Sequence, residues 1–153
     1  MFLLQVVNSL EKQRVRYALV GGHAVALHGA VRGTIDLDFV IQLDEKSFKS
    51  AEQALLDIGL KSHLPVTAEN IFQFREEYIK NKNLIAWSFV NPNHPIEIVD
   101  IIITEDLKKM KTVTKKIAGK NIHLASIPDL ITMKLKSNRA QDREDIKALE
   151  KLK

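Results

Sequence analysis

Two carboxylates set two residues apart, Asp36 and Asp38, are the side chains of this sequence best placed to do chemistry. On an extended strand, residues two apart point the same way. Their neighbours Ile35, Leu37, Phe39, Val40 and Ile41 are apolar, which predicts a buried strand. Two like charges held that close repel and lose hydration, so they need a counter-charge. A divalent cation supplies one. Hard oxygen ligands in a chain without cysteine favour magnesium or manganese over structural zinc. Two solvated aspartates on an edge face are the alternative, and the apolar company of the pair argues against it.

A two-ion site needs a further carboxylate, and residues 96–103 offer Glu97 and Asp100. Three apart on a strand, these face opposite sides, so only one can join the pair. Asp100 is preferred, because it sits in the denser apolar run, where an unpaired carboxylate costs most; Glu97 is the second choice. Two ions about 4 Å apart clamp an in-line phosphoryl transfer, and Asp100 is also a candidate base for the acceptor proton. Upstream, Gly21-Gly22 falls between an apolar run and a helix-favouring one. A glycine pair there lets backbone approach a phosphate at the positive end of a helix. Glycine also serves any turn with positive φ, so the pair alone decides nothing.

The frame that must hold these residues follows from periodicity. Residues 2–14 predict an amphipathic helix with Leu3, Val6, Val7 and Leu10 on one face. Residues 17–20 predict a buried strand, 23–28 a short helix that Gly29 can cap, and 34–42 the aspartate strand. A helix over 47–58 is stopped by Gly59; 71–74 and 84–90 are expected as strands and 91–95 as a turn. Residues 96–104 predict an apolar strand, 105–116 a helix, and 120–124 a short strand. Helices over 128–135, opened by Pro128, and 141–152 close the chain. The fold class is α/β (α+β): a small mixed central β-sheet flanked by helices. One domain is expected over 1–153, with a catalytic core over 1–125 and helices over 126–153.

The bulk numbers agree. The 153 residues, 45% hydrophobic and 27% charged, suit one soluble core. No run of eighteen apolar residues predicts a membrane span, and the apolar start lacks the basic flank of a signal peptide. A cytoplasmic protein is expected. The net charge of +4 suits an anionic partner such as a nucleotide or RNA, though many soluble domains are this basic. Lys108-Lys109-Met110-Lys111 and Lys115-Lys116 are better taken as a solvated helix face than as an acceptor track. The five histidines lack ligand spacing, and Trp87 and Phe89 are expected in the core.

The run from Leu19-Val20-Gly21-Gly22 through His28-Gly29 and Arg32-Gly33-Thr34 to Asp36-Leu37-Asp38 resembles the signature of DNA-polymerase-β-like nucleotidyltransferases. It is most similar to the AbiEii/AbiGii-type toxin branch and its small bacterial relatives. Residues 127–135, with Lys134, followed by Arg139, Asp142 and Asp145, resemble the helical end of that branch. Gln141 stands where relatives usually have lysine. The resemblance implies a minimal polymerase-β-like core with a helical C-terminal end. It implies Asp36, Asp38 and Asp100 as catalytic metal ligands for two Mg²⁺ or Mn²⁺ ions. Gly21, Gly22, Arg32, Thr34, Lys134, Arg139, Asp142 and Asp145 would surround the nucleotide, with Lys134 on the triphosphate. Arg139, Asp142 and Asp145 are equally well read as a structural ion-pair network beside the site. The implied activity moves an NMP from an NTP to an acceptor hydroxyl, releasing pyrophosphate. The acceptor is left open between a tRNA end, a protein and a small molecule. The branch also implies a toxin with a cognate antitoxin. The alternatives are a catalytically inactive interaction module and a nucleotide-binding regulator.

Overall fold

A computed structural model describes residues 1–30 and 33–153. At its centre, Tyr17–Val20 forms β1, with all four residues buried. Leu37–Ile41 forms β2, antiparallel to β1, with Leu19 opposite Phe39 and Val20 opposite Asp38. Ahead of β1, Phe2–Lys12 is helix α1, which buries Leu3, Val6, Val7 and Leu10 as its spacing predicts. Between the two strands, Gly21–Leu27 forms the short helix α2.

After β2 come α3 (Glu45–Asp57), the two-residue strand β3 (Lys61–Ser62), α4 (Ala68–Gln73) and α5 (Arg75–Lys82). Then β4 (Ala86–Asn91) and β5 (His94–Ile102) pair as a hairpin around Pro92-Asn93. A short 3-10 turn, Leu107–Lys109, leads into β6 (Thr112–Ile117) and β7 (Lys120–Ala125). Helices α6 (Ile127–Ser137) and α7 (Ala140–Leu152) follow. The described strands form one sheet in the order β3-β4-β5-β2-β1-β7-β6. It is mixed: β2 runs parallel to β5, and β1 parallel to β7, while the hairpins are antiparallel. The mixed sheet flanked by helices is the α/β class that the sequence predicts.

Two adjacent rows across this sheet have opposite characters. One row, Trp87–Ile101–Phe39–Leu19–Leu124, is wholly buried. Trp87 stacks on Phe48 of α3 at 6.4 Å and lies 4.5 Å from Phe89. Helix α3 is in turn tied to α1 by Ser9, whose Oγ donates to the Ala54 carbonyl at 2.6 Å. The next row, Ser88–Asp100–Asp38–Val20, carries the polar groups. The period-two alternation of strands therefore puts core on one face and chemistry on the other.

Three expectations are corrected. Residues 71–74 are not a strand but the end of α4, which starts at a capping box in which Thr67 and Asn70 satisfy each other's backbone N–H groups. Residues 105–116 are not a helix. Asp106 caps the 3-10 turn there, and the β-branched Thr112-Val113-Thr114 enter strand β6. Ala118 and Gly119, both at positive φ, then make the two-residue turn that pairs β6 with β7. The lysines at 115 and 116 thus guard an exposed sheet edge rather than a helix face. Finally, β2 begins at Leu37, so Asp36 precedes the strand instead of belonging to it. Strand β3 and helix α5 have no counterpart in the periodicity.

Trp87 is fully buried and its indole N–H is satisfied by Ser62 Oγ at 2.9 Å. Replacing it removes a large stacked side chain and leaves a cavity. Trp87→Ala is expected to cost about 3–5 kcal/mol in urea unfolding; a loss below about 1 kcal/mol would contradict this packing.

Candidate active site

Adjacent positions on parallel strands, Asp38 of β2 and Asp100 of β5, bring their carboxyl groups into hydrogen-bonding contact. One strand further, Ser88 Oγ donates to Asp100 Oδ1 at 2.6 Å. Asp36 lies close enough for the Asp100 charge to raise its pKa, after burial; His23 opposes that rise. Asp38 is the extreme case. Burial first, then the charge and hydrogen bond of Asp100 and the charge of Asp36, push it up to about 8, against the opposing charge of Lys134.

Gly21 makes room for this pair. It sits at φ 70°, in the left-handed region, and an added Cβ would fall 2.0 Å from Asp38 Oδ2. Gly22 serves a different neighbour: its Cβ would meet Thr34 at 2.8 Å.

The aspartates open onto a cleft of about 740 Å³ roofed by the C-terminal helices. Gly21, Asp36, Asp38, Asp100, Lys134, Arg139 and Asp142 all line it. Lys134 is buried between Asp142 Oδ1 at 3.3 Å and Asp145 Oδ2 at 3.0 Å. Arg139, mostly exposed, holds Asp142 Oδ2 through Nε at 3.0 Å. Burial would raise Asp142, but the Arg139 and Ser137 hydrogen bonds and the Lys134 charge outweigh it and hold the carboxyl well below the usual range. Gln141 donates to Asp145 Oδ1 at 3.0 Å, so the residue that departs from the resembled pattern serves this network. Ile85, Ile102, Leu130 and Met133 give the wall an apolar part, and Thr104, Glu105 and Lys136 add polar groups to it.

The structure therefore gathers most of the residues expected from sequence. Gly22, Thr34 and Asp145 stand behind the lining, and Arg32 lies outside the described residues. Of the two choices for the third carboxylate, Asp100 meets Asp38, whereas Glu97 accepts a hydrogen bond from Asn91 Nδ2 at 2.7 Å away from the cleft. Ser88 and Ser137 were missed. Their signal was positional: Ser88 alternates with buried Trp87 and Phe89, and so must share the face of Asp100. His28 lies away from the carboxylates, its Nε2 2.8 Å from the Ala125 carbonyl, and serves packing.

Among the described residues no three His, Cys, Asp or Glu side chains stand gathered in ion-holding geometry. The chemistry of the donors still fits a hard divalent cation: oxygen only, negatively charged, and electrostatically under-compensated at Asp38.

Residues 2–152 match the family described as nucleotidyltransferase of unknown function, DUF6036. The chain belongs to that family. A comparison with curated proteins gives no match. Among solved structures, this nucleotidyltransferase is similar to the lincomycin-bound lincosamide antibiotic adenylyltransferase LnuA, with a TM-score of 0.65 and 17% identity over 99% of this chain and 96% of that one. It is similar to ANT(2")-Ia in complex with adenylyl-2"-tobramycin, with a TM-score of 0.60 and 11% identity over 98% of this chain and 90% of that one. An antigenic nucleotidyltransferase-like protein from Paracoccidioides brasiliensis gives a TM-score of 0.60 and 19% identity over 97% and 74%. At these identities the likeness establishes the shared fold.

Two outcomes follow for the metal-free nucleotidyltransferase. Asp38 is raised from about 4 in the unfolded chain to about 8 in the fold, so its neutral form is the one the fold favours. Its contribution to stability is therefore undiminished below about pH 4 and is lost as pH rises from there to about 8. Asp142, held low, acts only below that window, where acid removes its contribution. In EDTA the urea midpoint should thus fall between pH 5 and pH 8, and Asp38→Asn should flatten the profile; a flat wild-type profile would contradict the buried pair. Separately, Lys134→Met removes the buried cation that Asp142 and Asp145 share and should cost about 3–5 kcal/mol, readable in the same unfolding assay; a cost below about 1 kcal/mol would place Lys134 outside the network.

Proposed function

We propose that the cleft transfers a nucleoside monophosphate from an NTP to an acceptor hydroxyl, with release of pyrophosphate. The observation that carries this reading is the Asp38–Asp100 contact at the mouth of the Gly21 turn. Asp36, Asp38 and Asp100 would hold two Mg²⁺ or Mn²⁺ ions. When bound, these would neutralise the triphosphate and polarise the reacting phosphorus. Gly21 admits the phosphates close to the backbone. The exposed Arg139 offsets their charge, and Lys134, tied to Asp142 and Asp145, supplies a fixed positive field behind them.

The acceptor oxygen attacks the α-phosphorus, its proton passes to the Asp100 carboxylate, and the bond to the β-phosphate oxygen breaks to free pyrophosphate. Ser88 keeps Asp100 oriented through its 2.6 Å hydrogen bond. Retaining under-compensated carboxylates in a sheet is costly, and binding alone would not need them, which favours catalysis over an inactive interaction module or a regulator. The adenylyl products and antibiotic acceptors of the structural neighbours support an acceptor hydroxyl on a small molecule; a tRNA end or a protein hydroxyl requires the same chemistry. Placement in the AbiEii/AbiGii-type branch, with a toxin role and a cognate antitoxin, is supported by the run from Leu19 to Asp38. Growth arrest on expression, relieved by Asp38→Asn, would bear on it.

Incubation with α-³²P-labelled NTPs, magnesium and cell extract tests the reading. Wild type should label an acceptor and release pyrophosphate. Asp38→Asn and Asp100→Asn should each lower the rate by at least about 100-fold, the scale lost with one electrostatic group of a transfer site. Labelling that survives both substitutions would overturn it.

A further inference from the structure

At the opposite end of β1 from Gly21 lies a second cleft, of about 700 Å³, which the acidic site does not use. Its charge is inverted. Arg14, Arg16 and Lys108 line it, and none of the three has a carboxylate partner among the described residues. The one acid in the lining, Glu11, is already bonded to Lys120. Unpaired cations around a concavity raise the local potential and favour an anion.

The floor adds a directed donor. Tyr17 is 3% exposed, its ring set edge-on to Phe39 and beside His123, both at 5.5 Å. Its hydroxyl accepts the His123 backbone N–H at 3.3 Å, and its own proton finds no acceptor among the described residues. Burial above all holds this phenol protonated, up to about 12. The cleft thus presents two guanidinium groups, an ammonium and a phenol proton, and among the described residues of its lining no free carboxylate faces them. Arg14 also occupies φ 60°, at the end of α1, where glycine is the ordinary occupant. Val15, Leu107 and Met110 supply an apolar border for the uncharged part of a ligand.

We propose that this cleft binds a phosphate-bearing small molecule of nucleotide size, its phosphate on Arg14, Arg16, Lys108 and the Tyr17 hydroxyl, without a metal ion. Forked guanidinium donors match phosphate oxygens in pairs. The site is independent of the transfer reaction, and the two clefts respond oppositely to chelation: the acidic one repels a phosphate unless cations are present, and the basic one does not need them.

Isothermal titration with ATP as the probe, in EDTA at low salt, separates them. Wild type should bind one ATP, more weakly as salt rises. Arg14→Ala/Arg16→Ala should weaken binding at least about tenfold with an unchanged melting temperature, the loss expected when charge-assisted hydrogen bonds are removed. Asp38→Asn should leave the affinity within about twofold, since the acidic cleft takes no part. If the double variant fails to fold, Lys108→Ala on the exposed 3-10 turn makes the same comparison. No binding by wild type in EDTA, unchanged binding by the arginine or Lys108 variant, or loss of binding in Asp38→Asn would overturn the assignment. So would single-stranded RNA that binds these arginines and is not displaced by ATP.

Discussion

Two carboxyl groups pressed together across adjacent strands set the terms for the rest of this molecule. Asp38 and Asp100 share a register position, so the backbone ladder itself forces them side by side. A sheet can hold such a pair only if the surroundings compensate it. Gly21 gives up its side chain to leave room. Ser88 gives Asp100 a hydrogen bond, and Lys134 lends its field across the cleft. Yet Asp38 remains far above an ordinary carboxylate, so compensation by the protein alone is incomplete. The shortfall has the sign and the oxygen chemistry of a divalent cation, and that links the fold to phosphoryl chemistry.

The C-terminal helices show how charge is kept in reserve. Lys134 is buried with two carboxylates rather than left reaching into solvent. Such a cation is rigid and pre-oriented, so its field acts on the cleft without reorganisation. Arg139 has the complementary character: one edge of its guanidinium is anchored on Asp142 while most of the side chain stays exposed at the rim. Both roles open to this group from sequence, nucleotide contact and ion-pair network, are thus compatible with one arrangement. The two ends of β1 differ accordingly, with carboxylates beyond Val20 and, around Tyr17, cations that have no carboxylate partner among the described residues.

Much of this was legible in the residues. Period-two spacing placed Asp38 on a strand face, and the three-residue offset between Glu97 and Asp100 assigned them to opposite faces, as observed. The long amphipathic helices were plain from their apolar spacing. What could not be read was register, because nothing local in Asp38 or Ser88 says that Asp100 lies between them. Short segments also failed. Residues 71–74 are apolar enough for a strand, but the Thr67 capping box upstream commits them to helix. The lysine-rich stretch after Leu107 has helical composition, yet pairing with β7 overrides that propensity. Gly22 shows the limit of motif reading: beside the Gly21 turn, it clears space for Thr34 rather than facing the cleft.

Asp38 and Asp100 are the carboxylates on which the proposed divalent-cation site depends. Direct titration with Mn²⁺, followed by the loss of its free-ion electron paramagnetic resonance signal in the presence of a non-hydrolysable NTP, tests it at the atoms concerned. Wild type should take up Mn²⁺ saturably, and Asp38→Asn and Asp100→Asn should each abolish that uptake while remaining folded. Equal uptake by all three proteins, or none by wild type, would contradict it.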